Sequence, residues 1–201
     1  MVFAERGGVD AETPVLFRYR DLPMHGITRH RLGQLLEAGE YERIAPGLFM
    51  RAWATDDTTA GWMAVAAKRP EATICLSTAL VIYDLTDEIP FQSEIAIPRG
   101  TQPVTVHGLH IGWHRFDPDT FHIGRTEHAL PGGMSIGLYS AERTIVDLFR
   151  LSHHWGSDFA IGALKRWLRE RGNYASKLLD VAQHFPKASP TIRQTLEILL
   201  I

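Results

Sequence analysis

The order of the predicted elements constrains the fold of this 201-residue chain more than any other feature. Apolar and polar residues alternate, as they do in strands, in three central segments: 93–98, 105–116 and 133–140. Helical patterns flank these segments at 58–68, 72–85, 141–151, 158–171, 174–184 and 190–201. Because strands and helices are segregated along the chain, we expect an α+β fold with a small, mainly antiparallel sheet and a helical layer.

The first part of the chain has a different organisation. Thr13–Leu22 is predicted to be a short helix with Pro14 in its first turn, and a second helix is predicted for Thr28–Ala38, closed by Gly39. Tyr41–Met50 then contains two short apolar runs around a Pro-Gly turn signal. This order is that of a winged helix-turn-helix. We therefore predict a DNA-binding domain at 1–53 and an α+β domain at 54–201.

The second predicted helix has the distribution of residues that a recognition helix requires. On a helical wheel, Leu32, Leu35 and Leu36 form one face, while polar residues occupy the opposite side. The leucines of such a helix pack against the core of the domain, and its polar face contacts base edges and phosphates of the DNA. The predicted DNA contacts are Arg18, Arg20, Thr28, Arg29, His30, Arg31, Gln34, Arg43 and Arg51.

The alternative is an ordinary amphipathic helix with a solvated face. Three glutamates, Glu37, Glu40 and Glu42, partly cancel the nearby arginines. The formal net charge of the whole chain is only −2, so DNA binding would have to depend on a local basic surface.

Several classes of protein are excluded by what the sequence lacks. No apolar run approaches the roughly 20 residues of a membrane span, and the first residues do not follow the pattern of a signal peptide. The single cysteine, Cys75, lies in an apolar run, so an inert buried thiol in a reducing cytoplasm is expected. The chain also has no phosphate-binding glycine motif and no GxSxG. No cofactor is predicted.

A metal site is not predicted either, although the chain contains ten histidines. His107, His110 and His114 are close in sequence. In a strand, however, His110 and His114 would lie about 13 Å apart, which is too far for one ion to bridge.

A second polar set lies in the larger predicted domain. Arg143 and Asp147 are four residues apart and can pair on one helix face, an interaction that would anchor the helix if it were buried. We favour this structural role over a functional one, because ionic groups are also common in structural networks. The whole set is Ser77, Thr78, Arg99, Glu142, Arg143, Asp147, Lys165 and Arg166.

Three stretches of the chain resemble the AbiEi family of antitoxins from bacterial type IV toxin–antitoxin systems. They read ITRHRLGQLLEAGEYERIAPGLFM (27–50), RPEATICLSTALVIYDLTDEIP (69–90), and SAERTIVDLFR followed by SDFAIGALKRWL (140–168). The chain departs from the family pattern at Phe49, where tyrosine is commoner, and at Pro46, where a basic residue is usual.

The resemblance implies two activities. The N-terminal domain would bind promoter repeats and repress its own operon, with two protomers acting together on the repeats. The C-terminal domain would neutralise a nucleotidyltransferase-like toxin without a lasting complex.

Two other modes of neutralisation are considered. The domain could be an enzyme that covalently modifies the toxin, for instance by phosphorylation, although no standard nucleotide motif supports this. Alternatively, it could mask the toxin by direct binding, for which the apolar end of TIRQTLEILLI offers a surface.

Overall fold

The computed structural model describes residues 14–106 and 108–200. A small antiparallel sheet has the order β1-β3-β2 and consists of β1 (Leu16–Arg18), β2 (Tyr41–Ala45) and β3 (Leu48–Arg51). A 3-10 helix (Tyr19–His25) and helix α1 (Arg29–Glu37) connect β1 to β2. The second helix and the hairpin of the sequence analysis are thus confirmed.

The predicted first helix, Thr13–Leu22, is wrong. Within its described part, Leu16–Arg18 form an edge strand, and a 3-10 helix begins only at Tyr19. Phe17 pairs with Phe49 across the sheet, and its side chain is buried. Pairing with a distant strand overrides the local preference, because it buries this aromatic side chain in the N-terminal core.

The larger sheet has five strands in the order β6-β5-β4-β8-β7. They are β4 (Thr73–Ile74), β5 (Ser93–Pro98), β6 (Ile111–Phe116), β7 (Arg125–Leu130) and β8 (Met134–Tyr139). β4 and β8 are parallel, as are β5 and β6, while the other two pairings are antiparallel. The sheet is therefore mixed and not mainly antiparallel, because the chain crosses over through 99–110 before β6 begins.

The secondary structure predicted from local sequence patterns is wrong for three parts of this sheet. Ala72–Leu85 was expected to be one helix, but its first residues form the central strand β4 before helix α3 begins. Of the described residues in the segment 105–116, the last six form a strand and the others do not. Strand β7 was not predicted, because its edge position leaves Thr126 and Glu127 exposed and removes the alternation that marks a half-buried strand.

Helices cover both faces of the sheet, and the α+β class is confirmed. They are α2 (Asp57–Lys68), α3 (Leu76–Ile82), α4 (Pro118–Phe121), α5 (Ala141–Arg150), α6 (Ser152–Trp155), α7 (Ser157–Arg169), α8 (Ala175–Ala182) and α9 (Ser189–Leu199). Helix α5 is central in the helical layer, where it contacts α3, α7, α8 and α9. None of the helices in the described ranges has both the length and the apolar character needed to cross a membrane.

The small hairpin contributes to two hydrophobic clusters. Tyr41 and Phe49 pack with the leucines of α1, while Leu48 and Met50 pack with α2 and the larger sheet. The N-terminal elements therefore share part of their core with the elements that follow.

Asp56 caps helix α2, and its replacement by alanine is expected to destabilise the protein by about 1 kcal/mol. Its carboxylate accepts hydrogen bonds from the Thr59 backbone N–H (3.0 Å) and hydroxyl (2.7 Å), and these bonds lower the pKa of Asp56. A lowered pKa means that the contribution is complete above the unfolded-state pKa and is lost as the pH falls through the folded-state value. Urea unfolding of wild type and Asp56→Ala should therefore differ at neutral pH and converge in acid. The exposed Asp180→Ala is the control, and a difference independent of pH would contradict this account.

Candidate functional sites

Helix α1 presents a polar face with a basic N-terminal end. The Thr28 hydroxyl accepts a hydrogen bond from the Arg31 backbone N–H at 3.1 Å, which fixes the start of the helix. Leu32 and Leu35 are buried, with 4% and 3% of their surface exposed. Arg29, His30, Arg31 and Gln34 are all exposed. The polar side chains therefore face solvent, as the helical wheel predicted.

The 3-10 helix and the hairpin turn lie beside this end of α1. The backbone N–H of Tyr19 donates to the Gly47 carbonyl at 2.7 Å, and the guanidinium of Arg29 lies over the Tyr19 ring at 5.8 Å. Arg18 and Arg20 are exposed next to Tyr19. Arg20, Thr28 and Arg29 line one shallow pocket here, and Arg20 also pairs with Asp21 at 3.6 Å. We call the exposed residues Arg18, Arg20, Thr28, Arg29, His30 and Arg31 the basic surface.

The remaining predicted contacts lie further along the chain. Arg43 is exposed on β2, whereas Arg51 is only half-exposed at the end of β3. Of the three glutamates, Glu37 ends α1 and Glu40 follows it, so both lie at the opposite end of the helix from the basic surface. Glu37 is therefore about two helical turns from Arg29 along α1, whereas Glu42 is exposed on β2 beside Arg43.

The second polar set does not form one site. Arg99 pairs with Asp117 (3.5 Å), Arg166 pairs with Asp87, and Lys165 is exposed. Ser77 and Thr78 are buried at the start of α3, where the Thr78 hydroxyl accepts a hydrogen bond from the Glu94 backbone N–H at 2.8 Å. Glu142 is half-buried on α5. These residues have separate partners and separate surroundings.

Arg143 and Asp147 pair in the core, as an anchoring role requires. The Arg143 Nε donates to the Asp147 carboxylate at 2.9 Å, and both side chains are fully buried. Another guanidinium nitrogen of Arg143 donates to the carbonyls of Thr120 (2.7 Å) and Ile123 (2.6 Å). Arg143 therefore ties α5 to the segment that follows β6.

Aromatic rings and a second arginine complete this buried cluster. Arg143 lies 4.3 Å from the Tyr139 ring centroid and 4.4 Å from that of Phe185. Arg150 also donates to Asp147 and lies 4.7 Å from the Phe185 centroid. Burial raises the pKa of the Asp147 carboxyl, and the two arginines oppose this shift. The cluster has the properties of a structural ion pair, since no carboxylate oxygen of Asp147 reaches solvent.

A cleft that the sequence did not predict lies at the edge strand β6. It has a volume of about 560 Å³, and its lining includes Glu94, His114, Arg150, His154 and Trp155. The His114 Nε2 lies 2.6 Å from the Glu94 carboxylate, which also accepts a hydrogen bond from the Gln92 side chain at 3.0 Å. The sequence signal was Glu94 itself, the one carboxylate in the predicted strand SEIAIP.

Gly112 leaves the space that the Glu94 side chain occupies. A Cβ atom at this position would collide with the Gln92 amide and the Glu94 carboxylate. Because Gly112 and Glu94 are paired across β5 and β6, the pairing of the two parallel strands sets this geometry.

The described ranges contain no group of three or more metal-ligating side chains. His110 stacks on Phe91, with 6.0 Å between the ring centroids, whereas His114 pairs with Glu94. His107 lies outside the described residues.

The buried Cys75 thiol has a pKa raised well above its usual value, because burial disfavours the thiolate. This agrees with the expectation of an inert side chain.

Comparison with known proteins supports only the fold. No family model matches the chain, and no curated protein matches it. Among solved structures, the chain is similar to the crystal structure of the RV2827C protein from Mycobacterium tuberculosis, with a TM-score of 0.50 and 13% sequence identity. The match covers 92% of this chain and 76% of that one. At this level of identity, the similarity extends to the α+β architecture and no further.

Proposed function

We propose that this protein is a DNA-binding antitoxin similar to the AbiEi family, and that it represses its own promoter through an N-terminal winged helix. The observation that supports this best is the basic surface beside the hairpin turn. Exposed arginines of α1 and of the segment before it lie near the hairpin turn, while Leu32 and Leu35 of α1 are buried.

This arrangement suits the major groove of DNA. The exposed face of α1 offers Arg29, His30, Arg31 and Gln34, whose donors and acceptors match base edges and phosphates. The hairpin β2–β3 would be the wing, and Arg18 and Arg20 would contact the phosphate backbone. Two protomers would bind neighbouring repeats, with a spacing set by the helical turn of DNA.

Replacing Arg29 and Arg31 together with alanine is expected to weaken binding to the promoter repeats. Each lost phosphate contact should lower the slope of log affinity against log salt by about one, so the double variant should lose about two. Fluorescence anisotropy with labelled promoter DNA at several salt concentrations measures both quantities. The matched control is Arg169→Ala with Arg171→Ala, a pair of exposed arginines far along the chain. Equal binding by the Arg29/Arg31 variant and wild type would refute the assignment of α1 as the recognition helix.

Toxin neutralisation is proposed for the residues that follow the hairpin, on the strength of the family-like stretches at 69–90 and 140–168. The proposal expects a nucleotidyltransferase-like toxin in a neighbouring reading frame, and co-producing the protein with that toxin tests the mode of neutralisation. An altered toxin mass would indicate covalent modification, and stable co-purification would indicate masking. Undiminished toxicity in the presence of this protein would refute the antitoxin proposal.

A further inference from the structure

The outer edge of strand β6 carries backbone groups that the larger sheet leaves unpaired. The Ser93 N–H donates to the His110 carbonyl at 2.9 Å, and the Arg99 N–H donates to the Phe116 carbonyl at 2.7 Å. Because alternate residues of a strand bond to the same neighbour, the even-numbered residues of β6 face β5. The odd-numbered residues turn their N–H and C=O groups out of the sheet, and they are Ile111, Trp113 and Arg115. Within the described ranges, no protein group forms a hydrogen bond with these outward-facing groups.

The cleft at β6 runs along this outer edge. Four consecutive residues, 113–116, line it. Successive side chains of a strand point to opposite faces of the sheet, so one cleft can contact all four residues only where it meets the backbone edge between the two faces. Arg150 and Trp155 bound the cleft on the side of the helical layer. The open volume therefore lies where a further strand would be added to the sheet.

β6 lacks the features that usually protect an edge strand. Natural edge strands commonly carry charged side chains, prolines or bulges that prevent pairing with another chain. The other edge strand of this sheet, β7, has Thr126 and Glu127 exposed. In β6, Ile111 and Trp113 are half-buried and pack against a hydrophobic cluster, and Arg115 is the one exposed residue of the strand. The edge is therefore mostly apolar and can accept another strand.

We propose that β6 pairs with β6 of a second copy of this chain, antiparallel and about a two-fold axis at Trp113. This register places the two Trp113 side chains opposite each other, an aromatic pair of the kind that stabilises antiparallel strands. It also places Ile111 opposite Arg115 of the second copy.

Charge selects this register. β6 contains no acidic residue and no lysine, so Arg115 has no opposite charge to meet on the strand of a second copy. With the axis at Trp113, the two arginines lie about 13 Å apart along the strands. An axis at Arg115 would place the two guanidinium groups side by side, which destabilises a strand pair. The edge of β6 is thus self-complementary when the axis passes through Trp113.

Sedimentation equilibrium of the full chain without DNA tests this proposal. We expect the average mass to rise from one chain towards two between about 5 μM and 0.5 mM. Arg115→Pro removes an outward-facing N–H and leaves the pairing with β5 intact, because an edge strand tolerates proline where the N–H faces away from the sheet. It should weaken association at least about tenfold, since each of the two strands loses a hydrogen bond. The matched control is Arg115→Ala, which keeps the N–H and should associate like wild type.

Two outcomes of this experiment would overturn the proposal. One is wild-type protein that remains a single chain at about 0.5 mM. The other is equal association by Arg115→Pro and Arg115→Ala, with both variants folded by circular dichroism. No DNA is present in the measurement, so its outcome is independent of the DNA-binding proposal.

Cysteine variants test the register directly. The one native cysteine, Cys75, is fully buried and does not compete. Trp113→Cys would place its two copies directly opposite each other with about 5.5 Å between Cα atoms, a separation that a disulfide can bridge. The matched control is Ile111→Cys, whose two copies would lie about 13 Å apart. With oxidised glutathione, Trp113→Cys should form a covalent dimer and Ile111→Cys should not. A covalent dimer of Ile111→Cys, or none of Trp113→Cys, would overturn the proposed pairing.

Discussion

Replacing Asp147 with alanine is expected to lower the free energy of unfolding by about 3–5 kcal/mol. The substitution removes the carboxylate that accepts hydrogen bonds from both Arg143 and Arg150. Arg143 would then retain its charge in a fully buried position, with only two carbonyls and the aromatic rings as partners. A buried charge without a counterion is among the most costly changes that one substitution can make. Urea unfolding followed by circular dichroism measures the loss.

A double-mutant cycle separates the ion pair from simple packing. Asp147→Leu and Arg143→Met should each be destabilising, while the double variant should lose less than the sum of the two, since it leaves no fully buried charge and Arg150, whose side chain is 23% exposed, can still reach solvent. Additive losses, or a loss under about 1 kcal/mol for Asp147→Ala, would show that the pair does not stabilise the fold.

Replacing Phe185 with alanine is expected to cost about 3–5 kcal/mol. Its ring is 5% exposed and lies over the guanidinium groups of both Arg143 and Arg150. The variant would leave a cavity between α5 and the last helices and would remove a ring face from two cations. The same urea titration measures the effect.

Two further variants test the origin of this loss. Phe185→Leu keeps most of the apolar volume and should cost less than Phe185→Ala. Phe91→Ala removes a ring that is 90% exposed and should change stability by no more than about 0.5 kcal/mol. Similar losses for Phe185→Ala and Phe91→Ala would contradict the packing role of Phe185.

The buried cluster around Arg143 and Asp147 explains why polar residues occur in the segment LYSAERTIVDLFR (138–150). This segment contains Arg143 and Asp147, for which the sequence favours an anchoring role over a functional one. In the structure, the side chains from Arg143 to Phe149 are all buried, so α5 has no solvated face over these residues. Arg143 and Asp147 are polar residues of the core, and their four-residue spacing allowed the pair to be predicted.

Elements with strong local signals followed from the sequence alone. Helix α1 has a capping threonine at Thr28, a leucine face and Gly39 just beyond its end, where the backbone φ is +69°. The sequence likewise predicts the hairpin turn at Pro46-Gly47 and the helices α2, α5 and α7–α9. Their apolar periodicity and their start and stop residues are close together in the sequence.

Tertiary structure decided the features that depend on distant residues. β1 is a strand because it pairs with β3, and the two-residue β4 exists only between β5 and β8. The cleft combines Glu94 and His114, which are 20 residues apart, through the parallel pairing of β5 and β6. Local periodicity reports which face of a segment is apolar, but it does not report which segment will be its neighbour. That choice depends on the free energy of packing the whole chain, which is why the basic helix was predicted and the cleft was not.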